Sequence, residues 1–142
     1  RAEGLTLSGE CLRAMELPVG RTVLLSVLSP RMVYSMTEWP RMRLAAEAAG
    51  LVVLAWRSPA VPEAEWRSAV ARAGWVRDAS EPVPDACMVW LGRPNHFPYS
   101  QVVRQGVVHP WPIWGVLPDA AWVESLRCRR DALVFASQGC QP

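Results

Sequence analysis

The chain has 142 residues, 51% of them apolar and 20% charged, with a net charge of +2. That length and balance suit one globular domain around one core, and exclude a disordered chain. All fifteen basic residues are arginine, which excludes a phosphate-loop lysine, a Schiff-base lysine and a lysine general base.

Residues 1–20 carry no clear pattern and end in the turn signals Pro18 and Gly20. Residues 22–28 (TVLLSVL) predict a buried strand, stopped by Pro30. A helix is expected over 33–49, with Pro40 inside it as a kink and Gly50 at its end. Residues 51–56 (LVVLAW) predict a second strand. Two unbroken apolar strands joined by a helix form a right-handed unit with parallel strands, covered on both faces. Residues 58–62 read as a loop and 63–73 as an amphipathic helix that Gly74 closes. Residues 86–91 (ACMVWL) are expected to form a third strand, 92–100 a polar loop, and 100–106 one helical turn. Residues 113–117 and 122–126 then predict two strands, hairpinned through Pro118-Asp119-Ala120-Ala121, before a closing helix over 129–138.

No apolar run reaches the roughly 18 residues of a membrane span. The arginines are scattered, and only Arg127, Arg129 and Arg130 cluster, which reads as a solvated strand end rather than a nucleic-acid interface. The four cysteines, Cys11, Cys87, Cys128 and Cys140, lack zinc spacing. Two disulfides in an oxidising compartment fit them, with three connectivities, and so do four buried thiols. The only histidines are His96 and His109. They support neither a metal site nor a cofactor. A hydrolase site would need His109 beside Ser35 and Glu38, and no G-x-S-x-G elbow is present. The eight tryptophans are expected mostly in the core, with Trp90, Trp111 and Trp114 admitted at a surface.

The stretch Gly20-Arg21-Thr22-Val23-Leu24-Leu25-Ser26-Val27-Leu28-Ser29-Pro30-Arg31-Met32-Val33-Tyr34-Ser35-Met36-Thr37-Glu38-Trp39-Pro40 aligns without a gap to a known pattern. It resembles the G-K-x-V-L-L-N-F-W-A-x-W-C-x-x-C-x-x-E-x-P segment of thioredoxin-like proteins of the TlpA and cytochrome-c-maturation type. Met32 falls at the first cysteine and Ser35 at the second. A looser likeness to the family's cis-proline loop lies at Trp111-Pro112-Ile113-Trp114-Gly115-Val116-Leu117-Pro118-Asp119, with Pro112 as the cis proline. Residues 75–105 match no part of the pattern and read as a variable insertion in a single domain over 1–142.

The resemblance implies an α/β, three-layer fold: a mixed sheet of four or five strands with helices on both faces. In the family a thiolate at a helix N-terminus attacks a substrate disulfide, and a second cysteine resolves the mixed disulfide. Neither a thioether nor a hydroxyl performs those steps, so Met32 and Ser35 mark a vestigial redox site. What the resemblance leaves is a binding groove for a protein or peptide, lined by Met32, Tyr34, His109, Trp111 and Pro112. The implied function is a redox-inactive binding or structural module of the bacterial cell envelope, periplasmic or otherwise extracytoplasmic. Two alternatives stand beside it. One is a thiol–disulfide oxidoreductase using an unorthodox pair such as Cys128 and Cys140. The other is a component of a secretion or conjugative-transfer assembly.

Overall fold

A computed structural model describes residues 5–75, 81–91 and 97–135. In chain order the elements are β1 (Leu5–Thr6), α1 (Gly9–Met15), β2 (Thr22–Leu28), α2 (Val33–Ala48), β3 (Val52–Arg57), α3 (Glu63–Ala73), α4 (Asp85–Leu91), β4 (Tyr99–Arg104), β5 (Val107–Val108), β6 (Ile113–Trp114) and α5 (Asp119–Phe135). The sheet runs β1-β5-β4-β2-β3, with β6 also paired to β4. It is mixed, as expected. β2 and β3 are parallel, in register from Val23–Val52 to Leu28–Arg57, while β2 and β4 are antiparallel. The strand count is six among the described residues, because β1, β5 and β6 are two-residue pieces.

β2 is buried along its whole length. Its side chains alternate between two cores, as a strand covered on both faces requires. Leu24 and Leu28 pack with α2, α3 and α5 around Trp39, Trp66 and Trp122. Leu25 and Val27 pack on the other face with Cys11 and Met15 of α1 and Cys87 of α4. In the middle of the sheet the Ser26 and Ser100 hydroxyls satisfy each other at 2.8 Å.

Three sequence expectations are corrected here. Residues 86–91 are not a strand but most of α4, whose first turn carries Asp85 and whose Cys87 N–H donates to the Pro84 carbonyl at 2.9 Å. A short apolar run has no period that separates a strand from a buried helix. Residues 100–106 are not a helical turn. They form most of the central strand β4 and the turn that follows it, where Gln105 and Gly106 both take positive φ, 48° and 80°. That is the two-residue hairpin geometry that matches strand twist. A Cβ on Gly106 would also meet Leu12 of α1 at 3.1 Å.

Residues 122–126 are not a strand either. They lie in α5, whose buried residues Trp122, Leu126 and Arg129 follow helical spacing. Pro118 and Asp119 open that helix rather than a hairpin, and the Trp122 N–H donates to the Pro118 carbonyl at 3.0 Å.

Candidate functional site

The site grows from the end of β2. Pro30 leaves the sheet, and the chain turns back at once. The Met32 N–H donates to the Ser29 carbonyl at 3.1 Å, and the Arg31 N–H to the Ser29 hydroxyl at 3.2 Å. Ser35, fully buried, accepts from the Ser29 N–H at 3.2 Å, so its hydroxyl ties the strand end to the first turn of α2. Met32 is the N-cap of α2, with extended backbone and no side-chain cap, and the first turn carries no acid. Tyr34 is 63% exposed. Arg31 reaches across to Glu65 of α3 through two contacts of 3.0 Å, and hydrogen bonding to that guanidinium lowers the Glu65 carboxyl.

Beside this turn stands a second element. The antiparallel register pairs Val27 with Tyr99, which brings Pro98 and Phe97 level with Leu28 and Ser29. The Phe97–Pro98 peptide bond is cis, and Trp111–Pro112 is not, which corrects the placement of the cis proline. Pro98 is buried, Phe97 partly so. The Pro98 carbonyl accepts from the Gly115 N–H at 2.8 Å, and the next pair along, Tyr99 and Trp114, stacks edge-on at 4.4 Å. Trp114 remains 52% exposed. Residues 97–100 and 113–115 thus build one wall at the end of the sheet that carries Met32.

No family model matches the chain, and no curated protein matches it. Solved structures do. A thiol:disulfide interchange protein of the thioredoxin family from Chlorobium tepidum aligns with 89% of this chain and 92% of its own, at TM-score 0.59 and 13% identity. The exposed lipoprotein thioredoxin of Streptococcus pneumoniae aligns over 87% and 98%, at TM-score 0.57 and 18% identity. The thioredoxin domain of a thiol-disulfide oxidoreductase from Bacteroides vulgatus aligns over 89% and 96%, at TM-score 0.58 and 14% identity. The chain has the thioredoxin-like fold.

Within this thioredoxin-like fold the described cysteines lie away from the start of α2. Cys11 and Cys87 form a disulfide that joins α1 to α4, buried on the face of the sheet opposite α2. Cys128 is also disulfide-bonded, and Cys140 lies outside the described residues. His96 lies outside them too.

His109, Trp111 and Pro112 are not at the Met32 end of the fold. They form an excursion between β5 and β6, at the level of the middle of β4, where the His109 N–H donates to the Val102 carbonyl at 2.8 Å. His109 is buried, and its Nδ1 accepts from the Trp111 N–H at 3.2 Å. Its partners are not Ser35 and Glu38, so the hydrolase constellation does not assemble. Arg129 is no solvated strand end. It lies buried in α5 and clamps the excursion, its Nε donating to the Trp111 carbonyl at 2.8 Å and its Nη1 reaching Ser125. Sequence reasoning missed Phe97, Pro98 and this clamp. The signal for the first two was a proline shortly before the Val102-Val103 pair and the Gln105-Gly106 turn.

Burial, reinforced by the Arg129 charge, pushes His109 from 6.5 down to about 4. Its folded value lies below its unfolded one, so the fold favours the neutral ring. The contribution is whole above about pH 6.5 and is lost as pH falls towards about 4. Up to roughly 3 kcal/mol is at stake. Thermal melts of wild type at pH 7 and pH 4.5 should differ more than those of His109→Asn; equal differences would refute this.

Proposed function

We propose that this chain is a redox-inactive thioredoxin-like module, acting as one domain over 1–142, that holds an extended segment of a protein partner in the bacterial cell envelope. The observation that carries the reading is chemical. The residue at the start of α2, beside the cis Phe97–Pro98 bond, is a methionine, and the described cysteines are all in disulfides elsewhere. A thioether forms neither a thiolate nor a disulfide. Four apolar or aromatic side chains from these segments are partly or well exposed, Met32, Tyr34, Phe97 and Trp114, and they are the surface this reading assigns to the partner. Exposed aromatic side chains beside a backbone turn suit recognition of an extended peptide. The Cys11–Cys87 disulfide supports an oxidising compartment.

The groove residues are therefore Met32, Tyr34, Phe97 and Trp114, with Phe97 taking the place the sequence had given to Trp111. A membrane-immobilised array of extended apolar peptides tests this. Wild type should retain a reproducible subset, and Met32→Asp or Trp114→Ala should lose about tenfold in affinity, the roughly 1–2 kcal/mol of an interface anchor. An unchanged pattern in both variants would remove the groove. An insulin-reduction assay with dithiothreitol should show no activity above background. Activity abolished by Cys128→Ser would support the oxidoreductase reading instead.

A further inference from the structure

We infer that Met32 is a reversible oxidation site, and that its sulfoxide oxygen caps the N-terminus of α2. The first N–H groups of a helix have no partner within it. Here a 16-residue helix begins with a side chain that supplies no acceptor and a first turn without an acid. The Met32 backbone is nevertheless in the extended region, φ −117° and ψ 111°. The third amide of the helix, Ser35, already donates to the Met32 carbonyl at 3.0 Å, so from that conformation a polar N-cap side chain would reach the second, Tyr34. The thioether lacks the acceptor; the sulfoxide has a strong one.

Access and packing together favour the same residue, because Met88, which is also partly exposed, packs against a core. Met15, Met36 and Met42 are at most 9% exposed and belong to the two cores. Met88 packs against the core of the α1 and α4 face. Met32 is partly exposed and belongs to neither core. Cys11, Cys87 and Cys128 are in disulfides, so among the described residues a peroxide meets no thiolate. A partly exposed thioether outside both cores is the softest nucleophile left to it. A sulfur lone pair attacks one peroxide oxygen, the O–O bond breaks, and an S–O bond forms as water leaves. Sulfur gives up two electrons and the peroxide accepts them. The return step takes two thiols, which leave as a disulfide while the oxygen departs as water.

Oxidation elsewhere in a protein commonly disrupts an apolar contact. At this position the local effect is stabilising. A consequence for binding rests on the groove reading: a polar sulfoxide in the wall weakens an apolar peptide.

The test leaves peptide binding aside, so its failure and the failure of the groove are separate results. Folded protein is exposed to dilute hydrogen peroxide and mapped by mass spectrometry of its peptides. Met32 should take up one oxygen about tenfold faster than Met15, Met36, Met42 or Met88. The singly oxidised protein should melt about 3 °C higher, as a gained N-cap would give. Met32→Leu should show neither change. Met32→Gln, which places a carbonyl oxygen at similar reach, should raise the melting temperature without oxidant. Faster uptake at another methionine, or oxidised protein that melts no higher than untreated, overturns the proposal.

Discussion

Replacing both Cys11 and Cys87 by alanine is expected to lower the melting temperature by about 10 °C. The bridge closes a loop across 76 positions of sequence, from α1 to α4. Cross-linking a loop of that length removes chain entropy from the unfolded state worth about 4 kcal/mol. It also fixes two short helices of seven residues each, which could not persist alone. Both sulfurs are buried, Cys11 at 1% and Cys87 at 0% exposure. A thiolate from solvent therefore reaches them only when that face of the sheet opens. Reduction of the native protein by dithiothreitol should be slow and should accelerate steeply as urea approaches the unfolding midpoint. A melting shift of only a degree or two, or fast reduction without denaturant, would mean that the bridge is neither structural nor sealed.

The βαβ half of the fold was legible because its signals are local and strong. Residues 22–28 and 51–56 are predominantly apolar runs, and Gly50 and Gly74 stop their helices. The second half was misread at points where one apolar run serves two structures. Trp122 to Leu126 looks extended as a string of letters, yet Trp122, Leu126 and Arg129 share one helical face. The central strand β4 contains Ser100 and Gln101, polar letters that speak against a core strand. The burial of Ser100 is understandable only through its tertiary partner, the Ser26 hydroxyl. Pro112 reads as the cis proline because residues 111–119 resemble the family's loop, whereas the cis bond lies at Phe97–Pro98, directly before β4. At the other wall of the site, Met32 and Ser35 were placed from sequence because the Gly20–Pro40 alignment carries no gap.

The second large effect concerns those two positions. The double variant Met32→Cys, Ser35→Cys is expected to form a disulfide between the new cysteines and to reduce insulin at least about tenfold faster than wild type. The geometry for the nucleophile is already present. Residue 32 caps a 16-residue helix, and a sulfur there lies by the first-turn amides at the positive end of the dipole. Those groups stabilise a thiolate, so the new thiol should titrate below the usual value near 8.5. Residue 35 is one turn on, with its N–H bonded to the carbonyl of residue 32 at 3.0 Å. It is buried against the end of β2, as a resolving thiol should be. Its hydroxyl now accepts from the Ser29 N–H, and a sulfur is a poorer acceptor there, so a loss of about 1 kcal/mol in stability should accompany the gain. Met32→Cys alone should trap mixed disulfides without turnover, because nothing at position 35 can release them. If the double variant folds, forms its disulfide and still fails to reduce insulin, then more than two side chains separates this fold from catalysis. The groove around Phe97 would then have diverged along with the cysteines.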